Sequence, residues 1–158
     1  MFIPLTIRQL TFDDIAHMEA MLTIFAEAFD KAQTYNAARP SHAYLRRLLG
    51  SDYFIALAAM KNGSVVGGIA AYELHKFEQE RSEVYIYDLA VTEAHRREGI
   101  ATALIEELKK IAAAREAYVI FVQADIGDAP AIALYTKFGI REEVLQFDIA
   151  VPAFGRRR

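Results

Sequence analysis

The stretch Val91-Thr92-Glu93-Ala94-His95-Arg96-Arg97-Glu98-Gly99-Ile100-Ala101-Thr102 decides how the rest of this chain is read. The residues before it, Glu83 to Val91, are rich in Tyr, Val, Ile and Leu, which suit a pleated strand. After it, Ile100, Leu104, Leu108 and Ile111 recur at helical spacing. A strand, a short loop with a glycine and a helix start together aim backbone N–H groups at an anion. The first helical turn leaves those donors without internal partners, and the helix dipole favours negative charge there. Gly99 has no side chain to hold a ligand off the main chain, and Ala101 is small. Arg96 and Arg97 add positive charge. The segment reads as an anion site.

Two familiar phosphate loops are excluded. A nucleotide P-loop ends in Gly-Lys-Ser or Gly-Lys-Thr, and neither occurs here. A dinucleotide fingerprint needs three spaced glycines, and this loop has one. Further along lies Asp128-Ala129-Pro130-Ala131-Ile132-Ala133-Leu134-Tyr135-Thr136-Lys137-Phe138-Gly139-Ile140. Asp128 is placed to cap a helix, and Pro130 is tolerated in the first turn, where no donor is lost. Ala131, Leu134, Tyr135 and Phe138 make one apolar stripe, and Gly139 is expected to end the helix. From the residues alone, Tyr135 also reads as a core aromatic, and the Arg pair as solvated side chains on a helix start.

Together the two segments resemble the GNAT acyl-CoA N-acyltransferases. Arg96-x-x-Gly99-x-Ala101 resembles their pyrophosphate loop, Arg/Gln-x-x-Gly-x-Gly/Ala. Asp128 to Ile140 resembles their Asn-x-x-Ala-x-x-Leu-Tyr-x-x-x-Gly-Phe, with Asp128 for the usual Asn and Ile140 for the usual Phe. The first departure bears on the contact that Asn makes to the pantetheine arm. Phe54 to Ala59, Glu83 to Val91, Tyr118 to Asp125 and Gly139 to Val144 look like the aminoglycoside 3-N-acetyltransferase branch. The resemblance implies acetyl-CoA as cosubstrate, held by Leu89, Ala90 and Val91 of a splayed central strand. It adds Arg96, Arg97, Glu98, Gly99, Ile100, Ala101 and Thr102 of the loop, and Asp128, Ala131 and Tyr135 of the second motif. It implies Tyr135 as the acid that protonates the departing thiolate. Acetylation of the 3-amino group of an aminoglycoside's deoxystreptamine ring is the activity it suggests. A homodimer is a habit of that family.

Outward from these motifs, the order of elements is mixed. Phe2 to Leu10 reads as a strand, and Thr11 or Asp13 is expected to cap a helix to about Asp30, with Ile15, Met18, Leu22 and Phe25 on one face. Lys31 to Pro40 is polar and reads as a loop; Ser41 starts a helix through Leu49. Phe54–Met60 and Val65–His75 form a hairpin across Lys61-Asn62-Gly63-Ser64. A helix from about Gly99 to Ala114 precedes a strand over Tyr118–Ala124, and a last strand is expected near Val144 to Ile149. Residues 1–158 read as one α/β domain of α+β type, a mixed central sheet flanked by about four helices.

Composition bounds the partners. With 158 residues, 54% of them apolar, the chain can bury a proper core. A net charge of −3 disfavours wholesale nucleic-acid binding. Zero cysteines exclude a disulfide and a thiol nucleophile. No run approaches the roughly 20 apolar residues of a membrane span, and Met1 to Arg8 lacks a signal-peptide pattern, so cytoplasm is the default expectation.

Amine acetylation needs a neutral amine, a polarised thioester carbonyl and a proton for the thiolate. Asp88 is the first candidate for base, because a carboxylate in an apolar strand has either a partner or a task. Glu83 and Asp125 are its rivals. Glu73, Glu78, Glu80, Glu83, Asp88 and Glu93, with Asp125, Asp128, Glu142, Glu143 and Asp148, are expected to line a cleft that draws in a polycation. Glu83, Asp88, Asp125 and Asp148 are the substrate-binding candidates. An ordinary acidic surface is the competing reading. His17, His42, His75 and His95 have no metal-ligand spacing, so no metal is expected. Two other functions compete: acetylation of a polyamine or protein N-terminus, and a non-catalytic acyl-CoA sensor, which retained Tyr135 argues against.

Overall fold

The protein is described here from a computed structural model, covering residues 4–29 and 38–153. The expected Lys31–Pro40 loop therefore falls largely outside the described residues. The chain divides into two compact units, Met1–Ala124 and Asp125–Arg158.

The first unit holds a five-stranded sheet in the order β1-β2-β3-β4-β5. Its strands are β1 (Leu5–Gln9), β2 (Phe54–Lys61), β3 (Ser64–His75), β4 (Ser82–Val91) and β5 (Ala117–Val122). The first four run antiparallel to their neighbours, and β5 pairs parallel with β4. The Asn-Gly turn works as expected: Asn62 and Gly63 both take positive φ (52° and 79°) and join β2 to β3.

Because β2 is covered on both sides, Phe54 to Ala59 are all buried. On one face, Phe54, Ala56, Ala58, Ala70 and Ala90 pack with α1 (Ile15–Ala28) and α2 (His42–Leu49). Small residues bring α1 close. A Cβ at Gly68 would sit 2.7 Å from Met21 Cε and 2.9 Å from the Leu57 carbonyl. The helix α3 (Ile100–Ala114) buries Ile100, Leu104, Ile105, Leu108 and Ala112.

The N-caps differ in one place from expectation. Ser41 caps α2 by accepting from the Tyr44 N–H at 3.1 Å. For α1 the cap position is Asp14, rather than Thr11 or Asp13. Its carboxylate turns back, accepting from the Thr11 N–H at 2.7 Å and pairing with Arg8 at 2.7 Å, so it ties the strand end to the helix start. Leu22 is only half-buried; Met21 and Ile24 take the core positions.

The second unit holds α4 (Ala129–Thr136), followed by residues 137–153 without a strand. The strand expected at Val144–Ile149 is absent. Val144, Leu145, Phe147 and Ile149 are exposed there, so no apolar face is buried to fix a pleat. Gly139 does not terminate the helix either. Lys137 takes the cap position, and the Phe138 and Gly139 N–H groups close on the Tyr135 carbonyl at 3.0 Å.

Candidate active site

The sheet parts where the sequence placed the central strand's end. β4 and β5 pair as far as Ile86 with Val122, while β4 runs on to Val91. Leu89, Ala90 and Val91 keep β3 as their sheet neighbour, opposite Ile69, Gly68 and Gly67. On the side away from β3, that stretch has no strand partner among the described residues.

A bulge shapes the same strand. Ala70 pairs with Asp88 and Ala71 with Ile86, so Tyr87 is an extra residue that re-aims its neighbours. Asp88 is half-buried and stands among tyrosines. Burial, together with neighbouring Tyr44, Tyr87, Asp88 and Tyr53, raises the Tyr72 phenol above its usual range. Tyr87 lies 5.9 Å from Tyr72 and 5.8 Å from Tyr85, and Phe54 lies 5.2 Å from Tyr72. Phe121 stacks on Tyr85 at 4.6 Å. Tyr44, Tyr53 and Tyr87 are exposed, so this aromatic floor faces solvent in part.

The loop after β4 is held by its ends. The Thr92 N–H donates to the Val66 carbonyl at 2.9 Å, and Glu93–His95 forms a single 3₁₀ turn. Arg96 Nε donates to the Val91 carbonyl at 3.3 Å. Arg97 (φ 64°) and Gly99 (φ 79°) both take left-handed backbone, which swings the chain into α3. Gly99 is the cap residue of α3 and supplies no side-chain bond to the first-turn N–H groups. No atom lies within 4 Å of where its Cβ would be, so the approach is open. A 15-residue helix thus points its positive end at an open glycine flanked by two exposed arginines. Ile100 is buried, so it anchors the helix, whereas the exposed Thr102 and half-buried Ala101 remain within reach of a ligand. Beside the loop, a groove of about 360 Å³ is lined by Ile24, Glu27, Ala28, Val91, Thr92, Glu93 and Arg96.

Glu98 has a different job for its side chain. It accepts from Lys61 at 2.7 Å and lies 3.2 Å from His95. The Lys61 hydrogen bond comes first among the causes that hold its carboxyl below the usual range. The contact pins the loop to the end of β2.

Several carboxylates expected in a substrate cleft are spent elsewhere. Glu73 is buried, accepting from Ser82 Oγ at 2.6 Å and from Arg115 at 2.6 Å. Burial alone would raise its pKa, but the bonds from Ser82 and Arg115 outweigh it and hold the carboxyl low. Glu78 pairs with Lys76 at 3.2 Å. Glu83 accepts from Tyr118 at 3.2 Å and lies 3.8 Å from Lys76. It also sits five residues before Asp88, about 16 Å along the strand at ~3.3 Å per residue.

The second motif is organised locally. Asp128 accepts from the Ala131 N–H at 3.2 Å, as its cap role requires. Ala131, Leu134, Tyr135 and Phe138 are all half-buried, forming the expected stripe. Asp125, Asp128 and Asp148 are exposed; Asp148 accepts from Gln146 at 3.1 Å. Among the described residues no group of three or more His, Asp or Glu is placed to hold a metal ion. No described helix is long and apolar enough to cross a membrane.

With this geometry in place, a family model described as "Acetyltransferase (GNAT) family" matches residues 18–140. The chain belongs to the GNAT acetyltransferase family. Among solved structures, this GNAT chain is similar to an aminoglycoside acetyltransferase from an uncultured soil metagenomic sample, with 66% identity and a TM-score of 0.92. That match covers 94% of this chain and 99% of the other. A second soil-metagenomic aminoglycoside acetyltransferase, solved in complex with sisomicin, is 27% identical with a TM-score of 0.87, covering 94% and 97%. The aminoglycoside N-acetyltransferase AAC(6')-Iy in complex with CoA shares the fold, at 17% identity and a TM-score of 0.75 over 95% and 97% of the chains. Comparison with curated proteins finds no significant match.

Sequence reasoning on this GNAT chain missed the aromatic floor. The Tyr85-x-Tyr87 alternation was visible, but Tyr72 joins through strand pairing, and Tyr44 and Tyr53 lie outside the sheet.

Proposed function

We propose that this chain transfers the acetyl group of acetyl-CoA to the 3-amino group of the deoxystreptamine ring of an aminoglycoside. The observation that carries the reading is the open α3 N-terminus at Gly99, flanked by Arg96 and Arg97, beside a parted β4. An acyl-CoA pyrophosphate would take the N–H groups of Gly99, Ile100, Ala101 and Thr102 and the charge of the two arginines. The edge of β4 at Leu89 to Val91 offers main-chain groups to the pantetheine arm, with Asp128 and Ala131 as its contacts on α4. The substrate class is supported by the relative at 66% identity, described as an aminoglycoside acetyltransferase, and by the relative solved with sisomicin.

The chemistry divides between two residues. Asp88 accepts the proton that the attacking amine loses as the N–C bond forms. Tyr135 donates the phenolic proton as the C–S bond breaks, so the thiol leaves neutral. Glu83 and Asp125 were the rival bases. Glu83 stands at the start of β4, about 16 Å along the strand from Asp88 and away from Leu89 to Val91, which favours Asp88. Asp125 and Asp148, both exposed, would add ammonium contacts. The tyrosines around Asp88 would pack against sugar rings and lower the local dielectric, strengthening an ammonium–carboxylate bond.

Thiol release from acetyl-CoA with sisomicin, followed by NMR of the product, tests this. A single acetyl group on the 3-nitrogen is expected. A product acetylated on a sugar-ring amine would overturn the regiochemistry. No turnover of sisomicin beside good turnover of a polyamine or peptide would overturn the substrate class, and no thiol release with any amine would leave a sensor.

A further inference from the structure

The β2–β3 hairpin holds the loop between β4 and α3 at both ends. At the start, the Thr92 N–H donates to the Val66 carbonyl of β3 at 2.9 Å. At the end, Lys61, the last residue of β2, donates to Glu98 Oε1 at 2.7 Å across 37 residues of sequence. The same carboxylate oxygen lies 3.2 Å from His95 Nδ1, so one atom gathers both contacts. Between these ties the backbone is strained at one residue. Arg97 has a φ of 64°, a left-handed conformation that a side chain disfavours. Gly99 follows at 79° and opens α3.

Glu98 also carries the wrong charge for its place. It stands one residue before Gly99, where Arg96, Arg97 and the α3 dipole favour an anion. A free carboxylate there would repel a pyrophosphate, and pairing with Lys61 offsets that charge. The bonds from Lys61 and then His95 hold the Glu98 carboxyl below the usual range, so it is ionised and paired at neutral pH.

We propose that Lys61 is a positioning residue for the cosubstrate: through Glu98 it holds the loop from Arg96 to Gly99 in its anion-ready shape and neutralises the carboxylate beside it. In this role Lys61 need not contact the cosubstrate itself. The inference deepens the proposed function and rests on its reading of the Gly99 loop as the pyrophosphate cradle. A loosened loop holds the competent shape only part of the time, and the apparent dissociation constant rises by the inverse of that fraction. A surface ion pair adds little to overall stability, so the effect should fall on binding and not on folding.

Calorimetric titration of the full chain with coenzyme A tests this, with Lys61→Met removing the charge while keeping an apolar stem. The dissociation constant should rise about fivefold, the upper range for a surface pair, with a urea midpoint close to the parent's. Lys61→Arg keeps a donor for the carboxylate and should bind within about twofold of the parent. In a Glu98→Ala background, Lys61→Met should have no further effect, because Lys61 acts only through Glu98. An unchanged dissociation constant in Lys61→Met would overturn the proposal, as would Lys61→Arg binding as weakly as Lys61→Met. An equal loss in both backgrounds would overturn it too, since Lys61 would then meet a phosphate directly. Each of these results leaves the cradle standing, because the parent still binds coenzyme A. A parent that binds no coenzyme A overturns the cradle and the proposal together. Lys61→Gln carries the same cycle where Lys61→Met fails to fold.

Discussion

The two motifs to which the proposed function assigns the chemistry sit in unlike surroundings. The anion loop opens a 15-residue helix that buries five residues. The second motif lies on an eight-residue helix that buries none. The first is held by a core: Ile100 and Leu104 are almost fully enclosed, and the loop's far end is tied to β2 through Glu98 and Lys61. The second is held by its own cap, Asp128 to Ala131, and by closing turns at Tyr135. On the proposed roles, binding needs a fixed cradle, and its donors would grow from a helix anchored in the core. A proton donor needs one side chain at the right moment, and a short capped helix can supply it. The contrast implies that mutations in the two motifs should fail differently.

The largest effect is expected at the cradle. Gly99→Glu puts a side chain and a negative charge into the open space, and its φ of 79° strains any L residue. Calorimetric titration of the folded variant with coenzyme A should show no measurable binding. Affinity within a fewfold of the parent would break the assignment of this loop to the pyrophosphate.

Tyr135→Phe should leave that affinity unchanged while lowering kcat by about 10²–10⁴-fold, the range of a general acid. Steady-state kinetics beside the same titration separate the two. Full activity would return Tyr135 to the apolar stripe it shares with Ala131 and Leu134.

The packing contrast is sharpened by matched truncations. Leu104→Ala, at a fully buried site, should cost about 2–5 kcal/mol. Leu134→Ala, half-buried on α4, should cost less, about 1 kcal/mol in the first instance. Urea unfolding of both variants measures the difference, and equal losses would mean that α4 is as enclosed as α3.

The smallest effect is a pH dependence. The folded-state pKa of Glu73 is lowered, so its contribution is fully present above the unfolded value near 4.5 and is lost as pH falls through the folded one. Unfolding midpoints between pH 6 and 3 should therefore fall less steeply for Glu73→Gln than for the parent. Parallel slopes would show that the Ser82–Glu73–Arg115 linkage does not differ between the folded and unfolded states.

What was legible beforehand was local. The Asn62-Gly63 turn, the Ser41 and Asp128 caps, the α3 periodicity and the glycine-started helix after the Arg96 to Gly99 loop each lie within a few residues of sequence. Backbone sterics and short-range hydrogen bonds act over that distance, so residue types alone specify them. Family membership followed, because it rests on two such local motifs in order. What required the tertiary structure was the choice of partners. Acidic residues counted along the chain looked like one cleft, yet Glu73 belongs to Arg115, 42 residues away, and Glu98 to Lys61, 37 residues away. The bulge at Tyr87 exists only because β3 pairs with β4 in a shifted register. The strand expected at Val144 to Ile149 has the right alternation but no neighbour to pair with among the described residues. Alternation states which side chains would share a face; a strand also needs a second backbone to accept its hydrogen bonds, and only the folded chain decides where that backbone is.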